Sequence, residues 1–187
     1  MQAADGSMRV GQPAYVKSLD FVPLGKLRKK QSGDANEAEK VAMRSMLRAL
    51  GYLARESRPD LSGPVSILQS RFNRAQVSDI HETNRVVRLA RIHTDLALLV
   101  CKIPVDQICF VPYGDASVGG IHAEQAQAGY VIMFADMALL AGLAAPVTLV
   151  SWRSHRVKRV VARASAAEAM GLSEAIAQGD WGTCTLE

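Results

Sequence analysis

The chain has 187 residues, about half of them apolar and 5% aromatic, and a formal charge of +4. That length suits one ordinary domain or two small ones with an aliphatic core. Its three cysteines lack CxxC spacing, and MQAADGSMRVGQPAYVKS lacks the apolar run of a signal peptide. Zinc sites, disulfide frameworks and secretion are thereby disfavoured, and an intracellular location, cytoplasmic or nuclear, is expected.

Residues 1–36 hold Gly, Pro and a basic run of Lys26, Arg28, Lys29 and Lys30. They are expected to form a poorly ordered, solvated segment. From Glu37 to Glu56, Val41, Met43, Met46, Leu47, Leu50, Leu53 and Ala54 recur at steps of three and four, which predicts a helix. Arg44, Arg48 and Arg55 lie off that stripe. Arg58-Pro59-Asp60 ends the helix, because the residue before proline disfavours helical backbone. Arg58 and Asp60 are expected to pin this turn as an ion pair. Ser62 and Pro64 then open a second helix with Val65, Leu68 and Phe72 as its apolar set. Asp79 and Glu82 form a D-x-x-E capping signal for a third, carrying Ile80, Val86, Val87 and Ala90 and reaching toward Leu96 to Val100. Arg85, Arg88 and Arg91 give it a basic face, which suits either plain solvation or a nucleic-acid backbone.

After Pro104 the pattern turns to β. Strands are predicted over 107–113, 128–134 and 147–152, then a basic stretch, RSHRVKRVVARAS, and a closing helix from about Ser165 to Gln178. Its apolar set is Ala167, Met170, Leu172, Ala175 and Ile176. Residues 130–150 are long enough to imitate a membrane span. Asp136, Gly142 and Pro146 interrupt that run, and its β-rich ends read better as strand, connection, strand. No membrane partner is expected. The fold class is therefore α+β: a poorly ordered segment over 1–36, a helical segment over 37–103, and a β-β-β-α unit over 104–187.

Two acids carry the candidate chemistry. Asp115 ends the first of these strands, within FVPYGDASVGG, and Glu168 lies in the first turns of the closing helix. A helix acid facing a strand-end acid across a β/α layer can share a divalent cation. Mg²⁺ takes hard oxygen ligands and keeps several waters, so one or two carboxylates plus phosphate oxygens suffice. Two such ions clamp the attacking and leaving oxygens in phosphodiester hydrolysis. The competing reading is a turn acid and a helix N-terminal acid favoured by the helix dipole.

Around these acids the sequence resembles the Pol polyprotein of copia-type retrotransposons. The matching segments are Asp115-Ala116-Ser117, Gln127-Ala128-Gly129-Tyr130, Ser151-Trp152-Arg153-Ser154 and the run from Ser165 to Ala175, SAAEAMGLSEA. They follow the order of that family's ribonuclease H module. In the first half, Arg44-Ser45-Met46-Leu47, Gly51-Tyr52-Leu53-Ala54 and Arg58-Pro59-Asp60-Leu61 resemble the family's segment between polymerase palm and ribonuclease H. The Y-x-D-D polymerase motif is absent from the chain. The resemblance implies an incomplete ribonuclease H-like unit, with Asp115 and Glu168 as catalytic, metal-binding carboxylates. It implies Mg²⁺, with Mn²⁺ as the alternative, an RNA–DNA hybrid as the nucleic-acid partner, and the polymerase part of the parent polyprotein as a further partner.

The family uses additional aspartates on later elements, and no acid here replaces them. Asp136 lies at the far end of the second strand, about seven residues at 3.4 Å each, or more than 20 Å, from Asp115. Asp106 lies at the wrong end of the first strand. Asp180 is roughly 18 Å beyond Glu168 if the helix continues. Arg153, His155, Arg156, Lys158, Arg159 and Arg163 form a basic cluster suited to gripping a nucleic-acid backbone, which needs only placed positive charge; a solvated basic loop is the alternative. Two function classes follow. One is an RNA–DNA hybrid ribonuclease attached to a reverse transcriptase, weak or inactive as this chain. The other is a nonenzymatic remnant that binds nucleic acid or protein.

Overall fold

The computed structural model describes residues 3–28, 32–117, 127–157, 168 and 171–178. It is an α+β structure with helices in the N-terminal half and a three-stranded sheet later. The chain divides into two compact units, Gly11–Leu96 and Met1–Val10 with Ala97–Glu187.

The first unit is helical. It holds α1 (Pro13–Ser18), α2 (Glu37–Glu56), α3 (Ser62–Arg71) and α4 (Val77–Ile92). The predicted stripe of α2 is its buried face, with Met43, Leu47, Leu50 and Leu53 at or near zero exposure; Val41 instead faces solvent. Asn36 caps α2 by accepting from the Glu39 N–H, and Glu39 reciprocates by accepting from the Asn36 N–H. The third predicted helix starts at Val77, with Asp79 inside its first turn accepting from the Gln76 N–H at 2.9 Å. It ends at Ile92, before the residues from Leu96 to Val100.

The described residues of the segment 1–36 depart from the expected disorder. Met8–Val10 forms β1, Pro13–Ser18 is helical, and Val16, Leu19 and Val22 are buried in the helical core. Asn84 on α4 clamps the backbone of Val22 from both sides, accepting its N–H at 2.7 Å and donating to its carbonyl at 3.0 Å. Such order is set by residues distant in sequence, so local composition does not show it. Arg28, from the basic run, donates to both oxygens of Glu39 at 2.9 and 3.1 Å.

That contact has a consequence for pH. The hydrogen bond from Arg28 is the chief cause holding the Glu39 carboxyl below its ordinary value of 4.5; burial opposes it, and the Asn36 N–H and the Arg28 charge assist. A carboxyl depressed in the folded state stabilises the fold above its unfolded pKa, and that stability is lost as pH falls through the folded pKa. Urea midpoints of the parent chain and of Glu39→Gln should therefore differ at pH 7 and converge as pH falls below 4.5. A gap that persists unchanged in acid would refute the ionic account.

The second unit is built on the antiparallel sheet β3–β4–β5, with β3 Ile108–Ser117, β4 Gln127–Asp136 and β5 Val147–Arg156. All are longer than predicted, so Asp115 lies inside β3, and Arg153, His155 and Arg156 lie on β5 rather than in a following loop. A short ribbon pairs β1 with β2 (Leu98–Val100), where the sequence pattern had suggested a continuing helix. The ribbon is tied to β5 through the Cys101 N–H, which donates to Thr148 Oγ1 at 2.8 Å. Residues 168 and 171–178 are helical, within the predicted closing helix. No helix among the described residues is long and apolar enough to cross a membrane.

Candidate functional site

The register of the sheet decides which side chains can meet. Directly opposed residues of an antiparallel pair project to the same face, and neighbours along a strand to opposite faces. Gly114–Tyr130–Arg153 and Ala116–Ala128–His155 are rows on one face. Asp115–Gly129–Ser154 and Ser117–Gln127–Arg156 are rows on the other.

The closing helix sits on the first face. A Cβ added to Gly114 would lie 2.5 Å from the Gly171 carbonyl oxygen, and one added to Gly171 would lie 3.0 Å from the Asp115 oxygen. Two glycines thus let helix and strand backbones touch. Ala175 is fully buried there, in a cluster with Tyr130 and Ile132 against which Phe110 packs. Glu174 reaches β5, where its carboxylate meets His155 Nε2 at 3.0 Å and Arg153 Nη1 at 3.5 Å. His155 Nδ1 is buried with no hydrogen-bond partner among the described residues.

Glu168, also helical and exposed, precedes Gly171 by three residues. Three residues span at most about 11 Å even when extended, so the Glu168 backbone lies within that distance of Gly171. The faces differ, however. Asp115 is exposed, and its Cβ leaves on the face opposite the helix; its Oδ1 accepts the Ala116 N–H at 2.7 Å. A cation shared by the two carboxylates would therefore sit at the rim of the strand end, not inside the β/α layer. The donor set suits one weakly held hard cation that keeps most of its waters. No group of three or more His, Cys, Asp or Glu able to hold a metal occurs among the described residues.

The remaining acids fall where the strand arithmetic puts them. Asp136 pairs with Ile108 at the opposite end of the sheet and caps the 3₁₀ turn Met137–Ala141 by accepting the Ala138 N–H at 2.9 Å. Asp106 lies in a 3₁₀ turn at that same end. Asp180 lies outside the described residues, as do Lys158, Arg159 and Arg163 of the basic cluster. The described members of that cluster are divided: Arg153 and His155 turn to Glu174, and Arg156 is exposed on the Asp115 face. Sequence reasoning passed over Glu174 and the Gly114/Gly171 contact. The available signal was spacing, since Gly171, Glu174 and Ala175 share a helix face.

The chain is 32% identical over 118 residues to a Saccharomyces cerevisiae (strain S288c) protein named as a transposon Ty5-1 protein. The match takes in 63% of this chain and 34% of that relative, so it spans about a third of the relative's length. No protein-family model and no solved structure matches the chain. The likeness supports a transposon-related protein.

Proposed function

We propose that this chain is a transposon-derived segment of a copia-type reverse transcriptase polyprotein. In this reading the sheet unit carries the first two carboxylates of a ribonuclease H-type site. The observation that supports it is the backbone contact of Gly171, three residues after Glu168, with Gly114 and Asp115. Asp115 and Glu168 would hold Mg²⁺ or Mn²⁺, and that ion supplies charge neutralisation at a phosphodiester. The Gly171 contact brings the helix that carries Glu168 against the strand, and Asp115 is open to solvent. In the intact parent, further acids complete the site and the RNA strand of an RNA–DNA hybrid is hydrolysed. This chain alone binds the hybrid and cleaves it weakly or not at all.

Two measurements test the proposal. Mn²⁺ titration should show weak binding that both Asp115→Asn and Glu168→Gln abolish; retention in both variants sinks the shared site. An RNA–DNA hybrid cleavage assay in Mg²⁺ or Mn²⁺ separates the function classes. Cleavage that Asp115→Asn abolishes establishes the enzyme. Salt-sensitive hybrid binding without cleavage supports the nonenzymatic remnant; among the described residues no third acid joins Asp115 and Glu168 in a metal-binding group.

A further inference from the structure

We infer that Arg156 and Ser154, on the Asp115 face of the sheet, are contacts for a nucleic-acid sugar-phosphate backbone, and that Arg153 and His155 are not. The inference rests on the nucleic-acid reading above and assigns its binding surface.

Alternation along β5 sends Ser154 and Arg156 to one face and Arg153 and His155 to the other. The two on the helix face are engaged by Glu174 at 3.5 and 3.0 Å. Arg153 and His155 are thus paired with Glu174 on the helix face, and recruiting them for phosphate would require breaking those pairs. Arg156 is exposed and belongs to the row Ser117–Gln127–Arg156, next to the row of Asp115. A guanidinium presents a planar fork that matches phosphate oxygens. Ser154 Oγ accepts from Gln127 Nε2 at 2.8 Å, which leaves its own hydroxyl proton available to donate. Gly129, between Asp115 and Ser154, places no side chain on that face, so the row is open in the middle.

The spacing points to a polymer. Asp115 and Arg156 are two strands and one two-residue step apart, a Cα separation of about 12 Å. A single phosphate group engages one end of that span; a polynucleotide reaches both.

The test is made in EDTA, so that it does not depend on metal or cleavage. Binding of a short fluorescein-labelled RNA–DNA hybrid to the whole chain is followed by anisotropy across a salt series. Arg156→Ala should weaken binding and flatten the slope of log K against log salt by about 0.9. Arg156→Lys should keep that slope, and Ser154→Ala should weaken binding without altering it. Arg153→Ala should leave the slope unchanged. An unchanged slope in Arg156→Ala, an equal flattening in Arg153→Ala, or no salt-dependent binding by the parent chain overturns the assignment. Failure of the carboxylate site would register in the Mn²⁺ and cleavage measurements and leave these slopes intact. Circular dichroism of each variant separates a lost contact from a lost fold.

Discussion

Replacing Arg58 by alanine is expected to destabilise the helical unit by about 3 kcal/mol or more, read as a fall in its urea midpoint. The side chain is 2% exposed and does three jobs at once. Its Nε and Nη2 donate to the two oxygens of Asp60 at 2.8 Å each. Its Nη1 donates to the carbonyls of Ala90 and His93 at 3.3 and 3.0 Å. Those carbonyls belong to the C-terminal end of α4, where a helix leaves acceptors unpaired and a cation is favoured. Asp60 is 39% exposed, so water takes over much of its solvation once Arg58 is gone. The main loss is then the buried Ala90 carbonyl, at about 1–3 kcal/mol, with the void left by the side chain in addition; the His93 carbonyl keeps the Leu96 N–H at 3.2 Å. Lysine keeps the charge but offers a point donor instead of a fork, so Arg58→Lys should restore only a minor part. Asp60→Asn keeps one acceptor oxygen but leaves the buried guanidinium without its counter-charge, so it should also destabilise, by roughly 1–3 kcal/mol. A midpoint within error of the parent for Arg58→Ala would show that the α4 carbonyls are adequately solvated without it.

The helices were legible in the sequence because their signals are local. The stripe of α2 runs from Met43 to Leu53 at helical spacing, and the Arg58–Asp60 pair sits two residues apart across a proline. The N-terminal segment was illegible for the opposite reason. Val22 is held by Asn84, sixty-two positions away, and Met8–Val10 by Leu98–Val100. Composition reports a Gly- and Pro-bearing stretch as solvated and carries no record of a distant partner. The candidate site divides in the same way. That Asp115 sits near the end of a strand and Glu168 on a helix followed from pattern. Which face Asp115 uses followed only from register, because a one-residue shift in a strand inverts every side chain. The same inversion divides Arg153, His155 and Arg156, which are neighbours in sequence but not on one surface.

Introducing valine at Gly114 is expected to lift the closing helix from the sheet. A Cβ there meets the Gly171 carbonyl oxygen at 2.5 Å, its carbon at 2.8 Å and Leu172 Cα at 3.0 Å. All three are backbone atoms, so no rotamer change relieves the clash; the helix must move as a body or detach. Overpacking of this kind typically costs about 1–3 kcal/mol, and sometimes more when nothing soft can yield. Here the loss should lie at or beyond the upper end of that range, because Ala175 would withdraw from Tyr130 and Ile132, and Glu174 from Arg153 and His155. The readouts are faster proteolysis near residues 171–178 and dye binding to the uncovered apolar face. Gly25→Ala serves as the neutral control, since a Cβ there meets nothing within 4 Å. Detachment would also move Glu168 away from Asp115, so Mn²⁺ binding should fail in Gly114→Val although both carboxylates remain. Retained Mn²⁺ binding with a released helix would mean that Asp115 holds the ion without Glu168. That outcome would leave the sheet intact as a nucleic-acid surface and remove the helix from its site.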